Sequence, residues 1–544
     1  MRVPDHPGGV RELGMRGHTP HENREASGRS LHGGEATMTE AAGKLRSHNP
    51  VARSPEESDG NIVPEKSANK EVVTLAESME GRTPIERNSG REAAIRIQGR
   101  VVASNGLDRV RQRAEADKTI RFNNLFHLLK ADLLRESFYE LKRNAAPGLD
   151  GITWREYERG LEERLPELER ELHIGSYRAT PAKRRYITKD DGRQRPLGIQ
   201  AVEDKMVQQA CVLTFNEIFE PNFSGYSYGS RPGRSPHDAL DALHEGIFRR
   251  KINWVLDCDI EGFFDNLSHE HLLSFIRERV TDKRMLRLIQ KWLRVGWIED
   301  GKRHSCTIGT PQGSVISPLL ANIFLNAVMD KWASEWRRAE AKGDMIIVRY
   351  VDDAVFGFQY ETEARAFLEA LRERLSTYGL TLHLTKTRLI EFGRYAANNR
   401  RKRREGKPET FDFLGFTHIC GKTRKGRFCI KRVTMRKRLH RKLKEVKEEL
   451  IKRMHRPLQE TGKWLGSVVR GVTNYYAVPG NTESVRAFYT QVGRLWHWVI
   501  GRRSQKARLR WTWKRFYRLQ ERWIPRPRII HPYPSFRFDA KYLR

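Results

Sequence analysis

Aromatic residues are absent from the first part of this chain. None of Phe, Trp or Tyr occurs before Phe122, and residues 1–95 are rich in Gly, Ser, Glu, Arg, Asn and Pro. Such a segment cannot bury enough apolar surface to fold on its own. We therefore expect residues 1–95 to be a disordered extension. Because the extension contains Met15 and Met38, a later translation start is compatible with the sequence, and its many Glu residues argue against a transit peptide.

Paired cysteines and long apolar runs are missing as well. No stretch is long and apolar enough to span a membrane. The cysteines show no CxxC spacing, which argues against a structural zinc site and favours a reducing compartment. We therefore expect a protein of the bacterial cytoplasm without a membrane partner. The five cysteines are Cys211, Cys258, Cys306, Cys420 and Cys429.

Positive charge is abundant, by contrast. The 544 residues carry a net charge of +33, which favours a polyanionic partner, and 38% hydrophobic residues are enough for two or three folded domains. Residues 501–544 are the most basic part, with fourteen Lys or Arg interleaved with aromatic residues. Cations neutralise phosphates and aromatic rings stack on bases, so this tail is predicted to bind nucleic acid. The alternative is a basic helix whose aromatic residues belong to the core.

Two adjacent carboxylates, Asp352 and Asp353, lie between the apolar runs MIIVRY and AVFGF. This pattern predicts a strand, a tight turn and a second strand. Mg²⁺ prefers carboxylate oxygens together with substrate phosphates, so the turn is a candidate polymerase metal site. The alternative is a pair of acids in a solvated loop.

A third carboxylate is expected from the segment WVLDCDIEGFFDNLSHEH, residues 254–271. A site with two metal ions needs ligands beyond one turn. Asp257 and Asp259 follow a short apolar strand. Since they are two residues apart, both point to the same face of an extended segment, and the alternation does not choose between them.

These segments and several others resemble the group II intron-encoded reverse transcriptase/maturase family over residues 120–480. The resemblance implies that Asp259 is the third metal ligand and that Phe264, five residues later, is a steric gate against a ribose 2′-hydroxyl. The alternative for Phe264 is a core aromatic residue. The matching blocks are KRNAAPGLDGITW (142–154), YITKDDGRQRPLGIQAVEDKMVQQA (186–210), GYSYGSRPGRSPHDAL (225–240), GTPQGSVISPLLANIFLNAVMD (309–330), GLTLHLTKTRLIEF (379–392) and FDFLGFTHI (411–419).

The same resemblance assigns nucleotide contacts. Lys189 and Arg195 flank a DDG turn and could reach the triphosphate of an incoming nucleotide, or they could be solvated hairpin charges. Gln312 and Gly313 are implied to line the nucleotide and template-primer pocket, with an ordinary turn before a core helix as the alternative. The helix predicted after this Pro-Gln-Gly turn has apolar residues at helical spacing and is expected to be buried through Leu320, Phe324, Ala327 and Val328. Lys386 is a weaker candidate, ranked level with a surface position. Ser230 replaces the aromatic residue that is usual in the family.

Beyond residue 430 the pattern becomes helical. Apolar residues recur on one face between Val433 and Met454, and the other faces are basic, as a helix that grips a duplex requires. The block GKWLGSVVRGVTNYYAVPGN, residues 462–481, resembles the maturase region of the family. Its candidate RNA contacts, with a core role for the two tyrosines as an equal alternative, are Arg470, Asn474, Tyr475 and Tyr476.

The resemblance implies an α+β right-hand polymerase with a mixed-sheet palm and a helical thumb/maturase region. We expect fingers and palm at 96–430, thumb and maturase domain at 431–500, and the basic aromatic tail at 501–544. The implied function is RNA-directed DNA polymerisation with two Mg²⁺ ions held by Asp259, Asp352 and Asp353, together with intron splicing and mobility. The implied partners are the intron RNA, an RNA template with a DNA primer, and target DNA; a homodimer is left open.

An RNA-templated RNA polymerase is the weakest alternative, since Phe264 would clash with a ribose 2′-hydroxyl. Two other functions compete more directly with this interpretation. One is a splicing maturase whose polymerase is vestigial, which the intact carboxylates disfavour. The other is a reverse transcriptase of the retron or diversity-generating type, which would lack the block at 462–481. No cysteine or histidine cluster of a zinc endonuclease follows residue 440. We therefore expect no nicking of a second DNA strand by this chain.

Overall fold

The computed structural model describes residues 106–188 and 194–542. The expected disordered extension, residues 1–95, and the predicted nucleotide contact Lys189 lie outside these ranges. Within them, helices and strands are mixed along the chain, in agreement with the predicted α+β class. All five cysteines are free, and the described ranges contain no helix with the length and apolar character that crossing a bilayer requires.

The strands of the described part form three sheets. Their orders are β2-β1-β4-β5, β6-β7-β3-β8 and β11-β10-β9, and we call the second of these the central sheet. The strands are β1 (Ala182–Thr188), β2 (Gln194–Ile199), β3 (Trp254–Asp259), β4 (Trp297–Glu299), β5 (Lys302–His304), β6 (Met345–Tyr350), β7 (Asp353–Phe358), β8 (Arg388–Glu391), β9 (Phe411–Phe413), β10 (Phe416–Lys422) and β11 (Phe428–Thr434).

Helices precede, cover and follow these sheets. Residues 106–116 are helical, and the next helices are α1 (Ala131–Glu140), α2 (Trp154–Arg159), α3 (Leu161–Ile174), α4 (Val202–Phe219), α5 (Pro236–Arg249), α6 (Phe263–Asn266), α7 (His269–Arg277) and α8 (Lys283–Arg294). The later helices are α9 (Ser317–Leu325), α10 (Lys331–Ala339), α11 (Glu361–Ser376), α12 (Ala396–Lys402), α13 (Arg436–Lys452), α14 (Leu458–Tyr476), α15 (Thr482–Gly501), α16 (Gln505–Arg510), α17 (Trp513–Trp523) and α18 (Pro534–Tyr542).

The central sheet is buried on both faces. Successive side chains of a strand point to opposite faces, and here they enter two separate cores. Val355 packs with Leu240 of α5 on one face. Phe356 packs with Phe367 of α11 on the other, where their ring centroids are 4.7 Å apart. Since both faces are covered, β7 is apolar throughout after its first residue, Asp353.

The helix predicted after the Pro-Gln-Gly turn is confirmed, with a change of winding at its end. α9 runs from Ser317 to Leu325, and Asn326–Asp330 continue it as a π-helical turn. Such turns are rare and often mark functional sites. Among the residues predicted to be buried, Leu320, Phe324 and Val328 are fully inside, while Ala327 is half-buried.

The basic amphipathic helix predicted within 433–454 is confirmed as α13. Val446 and Leu450 are its buried contacts with the core shared by α14 and α15. Ile451, predicted on the same face, is instead 43% exposed. The position next to Leu450 is turned about 100° away around an α-helix, which accounts for the difference.

The C-terminal segment packs against α14 and α15 where glycines leave room. A Cβ atom at Gly462 would lie 2.5 Å from Cγ of Trp523, and one at Gly466 would lie 2.5 Å from the Trp523 carbonyl oxygen. At Gly493 of α15 a Cβ would lie 2.6 Å from the side-chain oxygen of Gln520. α17 therefore lies closer to both helices than any larger residue at these positions would allow.

Candidate active site

The predicted carboxylate turn joins β6 to β7. Tyr350 and Asp353 are partners across the two strands, so Val351 and Asp352 form the turn between them. Val351 has a φ of 59°, a left-handed conformation that is costly for a β-branched residue. The Nη1 of Arg349 donates to the Val351 carbonyl at 2.9 Å and holds the turn in this shape.

Arg349 is itself fixed in the protein interior. Its guanidinium is fully buried and forms an ion pair with Asp330, which is 1% exposed, at 2.5 Å. The same guanidinium donates to the side-chain oxygen of Asn322 at 2.9 Å. A buried charge is tolerated only when it is paired and hydrogen-bonded, and both conditions are met here. Arg349 thus attaches the carboxylate turn to Asn322 of α9 and to Asp330 of the π-helical turn.

β3 brings the third predicted carboxylate to the same end of the sheet. Asp259 lies directly opposite Asp353 in the antiparallel pairing of β3 with β7. The Cβ atoms of such partners are about 4.5–5.5 Å apart. Asp257 lies opposite Val355 instead, one repeat further inside the sheet, and burial above all raises the pKa of its carboxyl to about 7. The strand register therefore separates the two acids that the alternation in the sequence left equivalent.

Negative charge is concentrated at this edge. As a residue Asp353 is exposed at the start of β7, but neighbouring protein displaces water from around its carboxyl group. This loss of water, followed by repulsion from Asp352, Asp259 and Asp257, raises the pKa of Asp353 well above its usual value. The guanidinium of Arg438 in α13 acts in the opposite direction. A cation between the carboxylates would relieve the same repulsion.

Lys386 supplies one such cation. Its Nζ lies 2.5 Å from Oδ2 of Asp259, with Lys386 48% and Asp259 27% exposed. The Asp259 backbone is fixed next to it, because the amide of His383 donates to the Asp259 carbonyl at 2.8 Å. The sequence ranked Lys386 level with a surface position, whereas the structure places it directly against a predicted metal ligand.

The donor set of this edge fits Mg²⁺. The carboxylates are hard oxygen ligands on two adjacent strands, and their mutual repulsion favours a divalent cation. In the described ranges, no group of three or more His, Cys, Asp or Glu side chains is arranged to hold a metal ion by itself. Mg²⁺ does not require such a group, because it keeps several waters and uses one or two carboxylates together with substrate phosphates.

The predicted gate and the Pro-Gln-Gly loop contact each other in the segment that follows β3. Phe264 is half-buried, next to the buried Phe263, with their ring centroids 5.2 Å apart. The amide of Thr310 donates to the Phe264 carbonyl at 2.7 Å, and the Gln312 side chain reaches Oδ1 of Asp265 at 3.5 Å. The loop is therefore attached to the segment that follows β3.

Gly313 connects this loop to the first sheet. Its φ is 103°, and a Cβ atom would lie 2.9 Å from the Gly198 carbonyl oxygen. In return, the Gly198 amide donates to the Gln312 carbonyl at 2.7 Å. Gly198 belongs to β2, the strand that carries the predicted triphosphate contact Arg195. Arg195 lies opposite Ile187 in the β1–β2 pairing, and its Nε has no hydrogen-bond partner among the described residues.

Comparison with known proteins agrees with this geometry. The family model described as reverse transcriptase (RNA-dependent DNA polymerase) matches residues 187–418. Group II intron-encoded protein LtrA of Lactococcus lactis subsp. cremoris is 30% identical over 304 residues, which cover 53% of this chain and 50% of LtrA. Protein YkfC of Escherichia coli K12 is 31% identical over 315 residues, covering 51% of this chain and 81% of YkfC.

The chain belongs to the group II intron-encoded reverse transcriptase/maturase family. It spans about half the length of LtrA. Nuclear intron maturase 4 of Arabidopsis thaliana is also similar, with 30% identity over 162 residues, 29% of this chain and 20% of that protein. All of the predicted carboxylates and the Pro-Gln-Gly loop fall within the region that the reverse transcriptase model matches.

In this family member, the predicted RNA contacts of the maturase block divide into two groups. Tyr475 and Tyr476 are 3% and 2% exposed, and the Tyr475 hydroxyl donates to the Leu414 carbonyl at 2.7 Å. The structure thus gives both rings the core role that the sequence held as the alternative, since a buried ring cannot stack on a base. Arg470 and Asn474 are exposed on α14 and remain available for contact.

The basic tail is also divided between core and surface. Phe516 is fully buried, whereas Trp513, Tyr533 and Phe536 are 44%, 62% and 69% exposed. Some of its cations hold the tail to the protein, because Arg537 forms an ion pair with the buried Asp241 of α5. The nucleic-acid surface predicted from composition is therefore restricted to the residues that remain exposed.

The basic segment NNRRKRREGK, residues 398–407, contains no apolar residue, and such a composition predicts a flexible insertion that contacts RNA; the structure instead shows it packed on the protein. Ala396–Lys402 form α12, and Arg403 forms an ion pair with the buried Glu391 at the end of β8. The contacts of Arg349 with Asp330 and of Lys386 with Asp259 were likewise missed. Lys386 in the block 379–392 was a signal for the second contact, but the sequence carries none for the first.

Proposed function

We propose that this chain is an RNA-directed DNA polymerase that also binds the RNA of a group II intron and assists its splicing and mobility. One observation carries the proposal: Asp259 pairs directly with Asp353, beside Asp352, at the open end of the central sheet. The half-buried Phe264 and the Pro-Gln-Gly loop are joined by a backbone hydrogen bond in the segment that follows β3, which supports a shared role in the pocket. Family membership supports an intron-encoded enzyme over one of the retron or diversity-generating type.

The right-hand layout is part of this proposal. The central sheet would form the palm, the β1–β2 hairpin part of the fingers, and the helices from α13 onwards the thumb. The corresponding domains are 96–430 for fingers and palm, 431–500 for thumb and maturase region, and 501–544 for the basic tail. The position of Arg438 near the carboxylates supports the thumb assignment, because it brings the basic helix α13 to the active edge.

The carboxylates would act by holding the metal ions and thereby positioning the reactants. Asp259, Asp352 and Asp353 are the proposed ligands of two Mg²⁺ ions. When bound, these ions would activate the primer 3′-hydroxyl and neutralise the leaving pyrophosphate. The Lys386 ammonium group would move away from Asp259 on metal binding, because the charge of Mg²⁺ would take its place beside the carboxylate. No general base is required, because positioning and charge neutralisation supply most of the rate in such reactions.

The other roles follow from position. Phe264 would exclude a ribose 2′-hydroxyl, Gln312 and Gly313 would line the nucleotide pocket, and Lys189 with Arg195 would contact the triphosphate. The partners would be a primed RNA template, the intron RNA and target DNA. Arg470 and Asn474 are the exposed RNA contacts of the maturase block.

Primer extension on an RNA template with deoxynucleotides and Mg²⁺ tests the polymerase. The double variant Asp352→Ala and Asp353→Ala should lose synthesis completely. Asp344→Ala is a matched control, because this acid lies just before β6, at the end opposite to the carboxylate turn. Its side chain accepts a hydrogen bond from the backbone amide of Lys251 at 3.0 Å. Synthesis that survives in the double variant would reject the metal-ligand assignment.

A second candidate function is a splicing maturase whose palm serves only as a scaffold. Tyr475 and Tyr476, in the block that resembles a maturase, are buried and serve the core of the protein. This observation is compatible with a domain that acts as a scaffold. The two functions are separated by the wild-type protein itself. Tight intron binding and stimulated splicing without any primer extension would favour the scaffold, whereas synthesis would reject it.

A further inference from the structure

The chain between the Pro-Gln-Gly turn and α9 needs hydrogen-bond acceptors from outside the helix. α9 begins at Ser317, and its N-cap residue Ile316 offers no side-chain acceptor. Backbone amides at a helix start have no acceptor within the helix. Ser314 and Ile316 are buried, which removes water as a substitute. An acceptor from another part of the protein is therefore required to fix this segment.

Gln208 of α4 supplies this acceptor. Its side-chain oxygen accepts from the Ser314 hydroxyl at 2.8 Å, from the Val315 amide at 3.1 Å and from the Ile316 amide at 3.4 Å. Backbone amides can only donate, so the oxygen of the glutamine, and not its nitrogen, faces them. Gln208 is fully buried and lies 106 residues before Ser314 in the chain. One side chain of α4 thus acts as an external cap for the start of α9.

The two proposed pocket residues Gln312 and Gly313 are held between two anchors at the start of α9. Before them, the Pro311 carbonyl accepts from the Ser317 hydroxyl at 3.1 Å, which ties the turn to the first residue of the helix. After them follows the segment that the glutamine of α4 binds. Both anchors depend on where α9 starts. A shift of that start would therefore move Gln312 and Gly313 with it.

α4 provides a firm base for this contact. Met206 and Phe215 of the helix are fully buried in the same core as the start of α9. Gln209, the next residue, makes a different contact, because its Nε2 donates to the Glu140 carboxylate at the end of α1 at 2.6 Å. The two neighbouring glutamines therefore serve different parts of the protein, and it is Gln208 that is bonded to the segment before α9.

We propose that Gln208 is a positioning residue of the polymerase: by holding the chain after the Pro-Gln-Gly turn, its side-chain oxygen keeps Gln312 and Gly313 in the arrangement that receives the incoming nucleotide. This role rests on the polymerase function proposed above. Gln208 is not a catalytic residue, because it is buried and bonds to protein groups. Its loss should therefore weaken nucleotide binding more than it slows the chemical step, which the carboxylates of the central sheet serve.

Single-nucleotide extension of a primer on an RNA template separates these two effects, because it gives KM for the deoxynucleotide and kcat. Gln208→Leu keeps the side-chain size and removes the acceptor, so it should raise this KM about tenfold or more and lower kcat less than about threefold. Gln208→Glu presents an acceptor oxygen to the same three donors and gives up only Nε2, which has no hydrogen-bond partner among the described residues. It should bring KM back to within about threefold of the wild type.

Two control variants separate positioning from a general loss of stability. Gln209→Leu changes the neighbouring glutamine, whose bond is to α1, and should leave KM unchanged. Phe215→Leu removes buried ring atoms from the same helix, roughly 10 Å further along it, and should lower the thermal unfolding midpoint without raising KM. If Gln208→Leu does not fold, Ser314→Ala tests the same link, since it removes only the hydroxyl contact and should raise KM about threefold.

Hydrogen–deuterium exchange of the nucleotide-free protein adds a readout that does not depend on activity. The amides of Val315 and Ile316 lose their acceptor in Gln208→Leu and should exchange faster there than in the wild type or in Gln209→Leu.

The outcomes are distinct. A raised KM with nearly normal kcat in Gln208→Leu, recovery in Gln208→Glu and faster exchange of the two amides would support the positioning role. An unchanged KM, an equal rise in Phe215→Leu, a loss confined to kcat, or unchanged exchange would overturn it while the polymerase function stands. Absence of extension by the wild type is recognised before any variant is compared. It would overturn the proposed function and, with it, the reaction that Gln208 is inferred to serve.

Discussion

The buried ion pair below the carboxylate turn allows the sharpest prediction, the variant Arg349→Met. Arg349 makes two bonds to Asp330, at 2.7 and 2.5 Å, and one each to Asn322 and the Val351 carbonyl, both at 2.9 Å. Methionine fills similar space without charge and leaves the Asp330 carboxylate buried without its cation. Removal of one partner of such a pair costs about 3–5 kcal/mol. At ~2 °C for each kcal/mol, the unfolding midpoint should fall by at least about 6 °C.

The assay is thermal unfolding followed by tryptophan fluorescence, with primer extension measured below the transition. Arg365→Met is the control, because Arg365 pairs with Glu361 on the surface of α11, where the two side chains are 68% and 40% exposed. Its effect should stay within about 0.5 kcal/mol. Replacing both partners, Arg349→Met with Asp330→Leu, should recover most of the lost stability, since no charge is left unpaired. A single variant as stable as the control, or a double variant as unstable as the single one, would refute this reasoning.

Three further predictions concern the polymerase pocket and one buried histidine. Phe264→Ala should raise ribonucleotide incorporation relative to deoxynucleotide incorporation about tenfold or more, and unchanged discrimination in single-nucleotide extension would remove the steric-gate assignment. Gly313→Ala should abolish extension, because its φ of 103° and the carbonyl of Gly198 leave no room for a Cβ; Gly406→Ala, in open space, should leave the rate unchanged. Burial above all lowers the pKa of His418 to about 3, so the unfolded chain binds its proton first and stability should fall as pH decreases from about 6.5 towards 3. His418→Phe should flatten that part of a stability-pH profile, and an identical profile in variant and wild type would contradict it.

The active edge of the sheet was predictable because its residues are local in the sequence. Asp352 and Asp353 lie in one turn between two apolar strands, and the helix after the Pro-Gln-Gly turn follows from spacing alone. The choice of Asp259 over Asp257 required strand register, because the two share one face of β3. The register depends on how β3 pairs with β7 and cannot be obtained from the sequence of β3 alone. Before the structure, only the resemblance to a family favoured Asp259.

The contacts that the sequence did not predict join residues that are distant along the chain or that do not follow a periodic pattern. Arg349 reads as a polar interruption in an apolar strand, and nothing near it indicates that Asp330 is its partner. Tyr475 and Tyr476 are of a residue type that often contacts RNA, but both side chains are buried in the core. Burial depends on which helices pack together, and α14 is covered by α15 and α17 only in the folded chain.

The glycines that α17 packs against limit which C-terminal tails could be exchanged between related proteins. Three glycines of α14 and α15 leave space that Trp523 and Gln520 of α17 occupy, namely Gly462, Gly466 and Gly493. The fit between the tail and these two helices therefore requires that the three positions carry no side chain. A tail taken from a relative would fit only if its bulky residues met the same gaps. A substitution at Gly462 in one lineage should accordingly be accompanied by a smaller residue at position 523. The tail and the two helices beneath it are therefore expected to evolve, and to be transplanted, as one unit.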